Sequence, residues 1–218
     1  MISIGFDVGL VTRSLLKVGL GSGDVVLLLY SKSGGEYEQR RVEEAVRAVK
    51  DLLAGARIEH YEVAVTGMDF ASDVIAILKA LKERGKPLIV ASLVGGMRLV
   101  IMEAVTALLL YKRFISNDAE IAVHVMREDG MYDITLPVTV MNPPELGYRE
   151  ITVLRELGKG LAGKSKSEIA SALSKDMEIS ESMVFKALDS LEKKGIIKTR
   201  SGSVELTLLG KLMLSALE

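Results

Sequence analysis

Apolar runs of strand length alternate with helical patterns over the first half of the chain. The strand-like runs are Ile2 to Phe6, Val25 to Tyr30, Ile58 to Val65 and Leu88 to Leu93. Between and after them, apolar positions at spacings of three and four predict helices over Glu36 to Ala54, Ala71 to Arg84 and Met97 to Lys112. This βαβα order favours an α/β domain with a mainly parallel, Rossmann-like sheet covered by helices on both faces.

A predicted hairpin and a proline pair end this region. The runs Ile121 to Met126 and Tyr132 to Val140 flank the turn sequence Glu128-Asp129-Gly130, which favours a hairpin. Asn142 to Gly147 contains two consecutive prolines, which lack an amide donor and restrict the residue before them. We therefore predict a first domain at 1–141, a linker at 142–147 and a second domain at 148–218.

The second domain has a helical pattern followed by a hairpin. Helices are predicted over Tyr148 to Leu157, Ser167 to Leu173 and Ser180 to Lys194, with Gly195 ending the third. Ser167 and Ser180 are expected to be N-caps, because a hydroxyl can accept a first-turn amide hydrogen bond. Two short strands, 196–200 and 204–207, flank Ser201-Gly202-Ser203, and a last helix covers Leu208 to Leu217.

Two stretches of this domain resemble the MarR-like and ArsR-like winged-helix families. Residues 180–197 are similar to the recognition helix of these families and the start of the wing that follows it. Residues 206–210 are similar to the sequence that follows the wing. The resemblance implies a DNA-binding winged helix-turn-helix. Met183, Val184, Leu188 and Leu191 are expected to pack inward, and Ser182, Phe185, Lys186 and Asp189 to face the groove. The predicted DNA-binding residues are Ser180, Ser182, Phe185, Lys186, Lys198 and Arg200, the last two contacting phosphates. A winged helix used only for protein contacts or dimerisation is the alternative.

Two glycine-rich segments look like phosphate loops and are interpreted otherwise. Gly158 to Ser165 fits the pattern GxxxxGK[ST], but that loop requires a preceding strand, and Ile151 to Leu157 reads as a helix. Gly19 to Gly23 lies before the second strand instead of directly after the first. Both segments are therefore expected to be turns.

Composition narrows the chemistry further. There is no cysteine, and the histidines are His60 and His124 alone, so neither a disulfide nor a metal site is expected. The formal net charge is -1, but residues 147–218 carry 12 Lys/Arg against 10 Asp/Glu, which permits DNA binding. Leu99 to Tyr111 is too short to span a bilayer and no signal peptide is visible, so we expect a cytoplasmic protein without a membrane partner. One Gln and two Asn are typical of a thermophile's protein.

Two short segments directly after strands are candidates for a ligand site. The first is Gly5-Phe6-Asp7, with Thr12 and Arg13 at the start of the next helix, and the second is Ser92 to Arg98. In Rossmann-type order strands one and four flank the point where the sheet reverses its winding, and ligands bind there. Gly95-Gly96 would allow backbone amides to approach an anion, and Arg13 and Arg98 supply charge, so a phosphorylated ligand fits. Alternatively, Gly-Gly is only a tight turn and Arg98 a solvated charge.

The same two segments resemble the motifs of CARF domains in CRISPR-associated proteins. With the domain order, the chain is similar to archaeal CARF and winged-helix transcription regulators. The resemblance implies that a homodimer binds cyclic tetra-adenylate across its two-fold axis and that the protein regulates CRISPR genes by binding their promoter DNA. It implies no cofactor. The ligand-binding residues it implies are Asp7, Val8, Thr12, Arg13, Ser92, Leu93, Val94, Gly95, Gly96, Met97 and Arg98. Asp7 stands where an Asn is also common.

Two other functions remain open. Some CARF domains cleave their cyclic ligand, and Thr12, Ser92 and Arg98 are the polar residues that a ring nuclease would use. Neither motif contains a His or Lys that could act as a general base, so no catalytic residue is assigned. The second alternative is a winged-helix regulator that senses another nucleotide.

Overall fold

A computed structural model describes residues 1–84, 87–127, 129–177 and 180–217 of the protein. The chain divides into two compact units, Met1–Val138 and Thr139–Glu218. The predicted linker, 142–147, lies inside the second of these units. Within the described ranges, no helix combines the length and the apolarity needed to cross a membrane.

The first unit alternates strands with helices, as its apolar pattern predicts. The strands are β1 (Ile2–Ser3), β2 (Val25–Ser31), β3 (Glu59–Val65), β4 (Leu88–Ser92), β5 (Glu120–Met126) and β6 (Asp133–Pro137). The helices are α1 (Val8–Val18), α2 (Glu36–Gly55), α3 (Phe70–Arg84) and α4 (Arg98–Leu110), and α4 continues into a π-helical turn, Tyr111–Ile115. A 3-10 turn, Val138–Val140, follows β6.

The six strands form one sheet in the order β3-β2-β1-β4-β5-β6. The first five are parallel and β6 is antiparallel to β5. One face of the sheet packs against α1 and α2 through a core that includes Ile4, Leu28 and Val46. The other face packs against α3 and α4 through residues such as Ile77 and Leu108. The predicted adjacency of strands one and four is confirmed, because Ile2 of β1 pairs with Ser92 of β4.

Three boundaries in this unit differ from the prediction. β1 ends at Ser3 instead of Phe6, because the chain turns at Gly5 into a loop that contacts the loop after β4. α1 begins at Val8, so Thr12 and Arg13 lie in its second turn and not at its start. The second hairpin strand stops at Pro137, since the 3-10 turn follows immediately. Glu128 of the predicted turn lies outside the described residues.

The outer strands of the sheet are β3 and β6. In the β5–β6 ladder the Arg127 amide donates to the Tyr132 carbonyl, so alternate residues of β6 direct their backbone groups toward β5. Asp133, Thr135 and Pro137 are the residues that direct theirs outward. Pro137 has no N–H, so β6 presents one donor fewer along its free edge.

The second unit has the predicted order of three helices, a hairpin and a helix. The elements are α5 (Tyr148–Glu156), a π-helical turn (Leu157–Leu161), α6 (Lys166–Met177), α7 (Glu181–Lys193), β7 (Ile197–Arg200), β8 (Ser203–Leu206) and α8 (Leu208–Leu217). Buried side chains from all of these elements form one core, which includes Leu154, Ile169 and Leu188. Gly195 ends α7 with a φ of 71°, as expected of a glycine in that position.

The caps of this unit are partly different from those predicted. Ser165, not Ser167, caps α6: its hydroxyl accepts from the Glu168 amide at 3.2 Å while its own amide donates to the Glu168 carboxylate at 2.8 Å. Ser180 occupies the N-cap position of α7, but its side chain makes no capping hydrogen bond. The segment 158–165 follows a helix, and Gly163 and Lys164 exchange backbone hydrogen bonds with Val204 of β8. Its interpretation as a turn and not a phosphate loop is therefore confirmed.

Candidate functional site

The loops that follow β1 and β4 lie directly against each other at the carboxyl edge of the sheet. A Cβ atom on Gly5 would lie 2.4 Å from the backbone nitrogen of Gly96 and 3.1 Å from its Cα. A Cβ atom on Gly95 would lie 3.0 Å from the Gly5 nitrogen. Gly96 also has a φ of 103°, which strongly favours glycine. The glycines therefore allow two backbones to touch, and segments far apart in sequence form one edge.

Asp7 fixes the start of α1. Its Oδ1 accepts a hydrogen bond from the Leu10 amide at 3.1 Å, and its backbone is extended, as an N-cap requires. A carboxylate in this position is stabilised by the positive end of the helix. The next residue, Val8, is partly buried and packs on the core beneath α1. Asp7 thus has a capping function that an Asn would also fulfil.

The two arginines predicted for the site occupy different places. Arg13 lies on α1; its Nε donates to the Gly9 carbonyl at 3.3 Å, and a Cβ on Gly130 would lie 3.0 Å from its Nη1. Its guanidinium therefore lies over the turn between β5 and β6. Arg98 is the first residue of α4 and is exposed, and its guanidinium makes no ion pair or hydrogen bond with the residues that the structure describes. Arg98 is therefore a cation available to a ligand at the start of α4.

The start of α4 has no side-chain cap. Met97 occupies the N-cap position with an extended backbone and cannot cap the first-turn amides. Its sulfur instead accepts a hydrogen bond from the Ser33 hydroxyl at 3.2 Å, which brings the loop after β2 to the same edge. Helix amides without a cap, next to an arginine, favour an anionic partner.

The loop after β3 also reaches this edge, although sequence reasoning did not assign it. A Cβ on Gly67 would lie 3.1 Å from the Ser33 hydroxyl oxygen. Asp73, which is buried at the start of α3, holds this loop by accepting hydrogen bonds from the amides of Thr66 and Gly67 at 2.9 and 2.7 Å. The signal that could have found these residues is their position directly after strands of the same parallel sheet.

Phe6 is the one large aromatic side chain of the first loop. It is 44% exposed, and the guanidinium of Arg41 on α2 lies 4.9 Å from the centre of its ring. This distance is suited to a cation–π interaction. An exposed aromatic ring held beside a cation is a surface on which a purine base can stack.

Ser92 and Leu93 belong to the protein interior and not to the exposed edge. Both are buried, and the Ser92 hydroxyl bonds to the Ser14 hydroxyl of α1 and lies 3.0 Å from Nδ1 of His124. Nε2 of His124 in turn lies 3.3 Å from the Asp133 carboxylate, whose other oxygen pairs with Lys17. The hydrogen bonds from Lys17 and His124 lower the pKa of Asp133. Ser92 thus takes part in a buried network beneath the loops.

His124 lies outside both motifs and was not predicted for the site. The β4–β5 ladder aligns it with Ser92, so the absence of a histidine within the motifs did not exclude one from their surroundings. It is only 2% exposed, so a ligand at the edge could not contact its ring directly. Its position therefore does not supply the base that a ring nuclease needs.

Comparison with known protein families identifies the first unit. Residues 1–137 match the model of the Csa3 CRISPR-associated Rossmann-like domain, which covers more than half of the chain. The chain belongs to this family. The first unit is thus a CARF domain, which associates the protein with oligoadenylate sensing in CRISPR systems. A comparison with curated protein sequences returned no match.

In this CARF domain the predicted ligand residues fall into three groups by exposure. Those exposed at or near the edge are Asp7, Arg13, Gly96, Met97 and Arg98. Partly buried ones are Val8, Thr12, Val94 and Gly95, and buried ones are Ser92 and Leu93. The loop contact brings Gly5, Gly95 and Gly96 together, whereas Arg13 is directed to the β5–β6 turn. Direct ligand contact remains a prediction for all of them, and Ser92 and Leu93 are buried beneath the edge.

The candidate nucleic-acid surface of the second unit is one face of α7. Ser182, Lys186, Asp189 and Lys193 are exposed on it at spacings of three and four. Lys193 was not predicted. Phe185, expected on this face, is instead partly buried against the core, and Met183, expected to pack inward, is 39% exposed. Ser180 lies at the start of the helix, with its hydroxyl 3.1 Å from that of Ser182.

The hairpin beside α7 carries two further predicted residues. Lys198 pairs with Glu205 across the two strands at 3.2 Å, and Arg200 is exposed next to the turn, where Ser201 and Gly202 both have positive φ. Glu192 of α7 accepts a hydrogen bond from the Thr199 amide at 2.8 Å, which ties the hairpin to the helix. Hydrogen bonds from Lys166 and then Thr199 lower the pKa of Glu192, so this tie is made by a carboxylate.

A partly buried ion pair connects the first turn of α5 with the residue that follows α7. Lys194 donates to both carboxylate oxygens of Glu150 at 2.6 and 2.7 Å, and Ser190 and the Gly147 amide each donate to Glu150 at 2.7 Å. Burial alone would raise the pKa of Glu150, but these hydrogen bonds outweigh it and lower the pKa. The pair holds α7 at a defined position on its unit.

Proposed function

We propose that the protein is a ligand-responsive transcription regulator. Its CARF domain binds cyclic tetra-adenylate, and its second unit, a winged helix-turn-helix, binds promoter DNA of CRISPR-associated genes in the cytoplasm. The observation that carries the ligand part is the backbone contact of Gly5 with Gly95 and Gly96. It joins the starts of α1 and α4 into one edge at the switch point of the sheet.

The chemistry of this edge suits a phosphodiester with purine bases. The uncapped first-turn amides of α4 and the exposed Arg98 offer donors and positive charge to a phosphate. Phe6, beside Arg41, offers a ring to an adenine. A ligand made of several adenosine phosphates would use both surfaces, whereas inorganic phosphate would use only the first.

We also propose that two copies of the chain bind one ligand. Cyclic tetra-adenylate has two-fold symmetry, which a C2 homodimer matches. Leu99 and Met102 are exposed large apolar side chains in the first turns of α4, directly after Arg98, and Met102 is 58% exposed. A second copy packed on this surface would bring two candidate sites together. Met102→Glu should therefore give monomers in analytical ultracentrifugation and weaken ligand binding.

The DNA-binding proposal is supported by the exposed face of α7 and by the hairpin tied to it through Glu192. Lys186 and Lys193 on the helix and Arg200 on the hairpin have no ion pair among the described residues, so their charges are available to phosphates. Lys198 would have to exchange its contact with Glu205 for a phosphate. An exposed strand-pair tip next to an exposed helix is the arrangement that winged helices use on DNA.

The ligand proposal is tested by Arg98→Ala, with Arg113→Ala as the matched control. Both residues are exposed, and Arg113 lies in the π-helical turn at the far end of α4. In calorimetry, Arg98→Ala should abolish or strongly weaken binding of cyclic tetra-adenylate, because a charge-assisted contact to phosphate is lost. Arg113→Ala should bind as the unsubstituted protein does. Equal affinities of all three would place the site elsewhere, and linear products in the same samples would identify a ring nuclease.

The DNA proposal is tested by Arg200→Ala, with Lys211→Ala on α8 as its control. Loss of one phosphate contact should weaken binding to all sequences alike and reduce the slope of log affinity against log salt by about 1. Lys211→Ala should leave both quantities unchanged. If a protein shortened to 1–146 still bound promoter DNA, the second unit would not be the DNA-binding domain.

A further inference from the structure

The buried network beneath the two loops connects four elements of the CARF domain. Ser14 lies on α1, Ser92 ends β4, His124 lies on β5 and Asp133 begins β6. The two serine hydroxyls bond to each other, and they lie 3.3 and 3.0 Å from the same imidazole nitrogen, Nδ1 of His124. The exposed fractions of Ser14 and Ser92 are 0% and 3%. The network is therefore sealed from solvent at its serine end.

The direction of its hydrogen bonds follows from Asp133. A carboxylate only accepts hydrogen bonds, so Nε2 of His124 must carry the proton that is shared with Asp133. In the Nε2–H tautomer Nδ1 carries no proton, so it can accept a hydrogen bond from the serines. One serine donates to Nδ1 and the other donates to the first serine, which satisfies both hydroxyl protons. Lys17 holds the other oxygen of Asp133 and keeps this carboxylate charged.

We propose that His124 is a positioning residue for the ligand site. Its Nδ1 acceptor holds Ser14 of α1 against Ser92 of β4. This contact sets the distance between α1, which follows the first loop, and β4, which precedes the second loop. This inference rests on the proposed ligand function of these loops. The burial of both serines excludes the alternative that Ser92, His124 and Asp133 form a serine-hydrolase triad, because no substrate can reach either hydroxyl.

Two substitutions separate positioning from mere packing. In His124→Asn the amide oxygen takes the place of Nδ1, so the serines keep an acceptor while the bond to Asp133 is lost. In His124→Gln the amide reaches the place of Nε2, so the bond to Asp133 is kept and the serines lose their acceptor. We expect His124→Gln to bind cyclic tetra-adenylate about tenfold more weakly than the unsubstituted protein, since a buried hydroxyl is left without an acceptor. His124→Asn should bind within about twofold of it.

A second measurement does not depend on the ligand. The chain has only two histidines, so nitrogen NMR of the imidazoles resolves His124 against the partly exposed His60 as an internal reference. We expect the Nε2–H tautomer for His124. Observation of a proton on Nδ1, in the Nδ1–H tautomer or in the doubly protonated ring, would overturn the assigned direction of the network. Equal loss of affinity in the Asn and Gln variants would overturn positioning in favour of packing. Absence of binding by the unsubstituted protein would overturn the ligand proposal as well, so the two failures are distinguishable.

Discussion

Substitution of Gly5 by alanine tests the loop contact on which the candidate site depends. The added Cβ would lie 2.4 Å from the Gly96 nitrogen and 3.3 Å from the Gly95 carbonyl carbon. Since non-bonded heavy atoms need about 3.5 Å, the loops must separate by about 1 Å. Gly5 does not have a positive φ, so its backbone conformation itself accepts alanine and the whole cost is steric.

We expect Gly5→Ala to lower the free energy of unfolding by about 1–3 kcal/mol, the usual cost of overpacking. Ligand affinity should fall by at least about tenfold, because binding sites tolerate displacements of only about 0.5 Å. Urea unfolding and calorimetry measure these two quantities. The control is Gly55→Ala at the end of α2, where a Cβ meets no atom within 4 Å. Alanine there should stabilise the protein by up to about 1 kcal/mol.

If Gly5→Ala unfolded and bound ligand as the unsubstituted protein does, the backbone contact would not hold the loops in place. A loss of stability without a loss of affinity would show that the contact supports the fold but not the site. Only the combined loss agrees with the reasoning from the structure.

Three further predictions concern stability and coupling. Glu103 is fully buried, with neither carboxylate oxygen hydrogen-bonded in the described part of the chain, and burial and then the charge of Asp73 raise its pKa. The folded state therefore keeps a proton that the unfolded chain releases, so the free energy of unfolding declines as pH rises above the ordinary glutamate pKa of 4.5. In urea unfolding, Glu103→Met should remove this decline and stabilise the protein by about 1–3 kcal/mol at pH 7. An unchanged pH dependence in this variant would contradict the prediction. Lys194→Met leaves Glu150 without its cation and should lower the free energy of unfolding by about 2–4 kcal/mol at pH 7. Because the pKa of Glu150 is lowered in the folded protein, this loss should shrink as pH falls below the ordinary glutamate pKa. A loss of stability that does not depend on pH would refute an electrostatic cause. Saturating cyclic tetra-adenylate should change the free energy of binding to promoter DNA by about 1–3 kcal/mol, and DNA should change the free energy of ligand binding by the same amount. Identical DNA titrations with and without bound ligand would show that the two units bind independently.

The element order of both units could be predicted from the sequence because apolar periodicity differs between strands and helices. The adjacency of strands one and four was also predictable from Rossmann-type order, whereas the order of all six strands could not be read from the sequence. β1 was predicted too long because its apolar run continues to Phe6, whereas the backbone contact at Gly5 ends the pairing. Periodicity does not report such a contact.

The details that were missed depend on pairing and on helix rotation. His124 interrupts an apolar strand, which marks it as unusual, but only the strand register shows that Ser92 is its partner. On α7, adjacent residues differ by about 100° in direction, so a small rotation exposes Met183 and turns Phe185 inward. Ser165 with Glu168 three residues later is a capping-box pattern that the sequence does contain and that the choice of Ser167 overlooked.

The free edge of β6 has a consequence for colloidal behaviour. Exposed strand edges can pair with another chain and begin aggregation, and proline on the outer side of a strand opposes this. β6 is short, and Pro137 removes one of its outward donors. Growth of an extended intermolecular sheet from this edge is therefore disfavoured. Self-association detected at high protein concentration should consequently respond to substitutions of Leu99 or Met102 on α4, and not to those along β6.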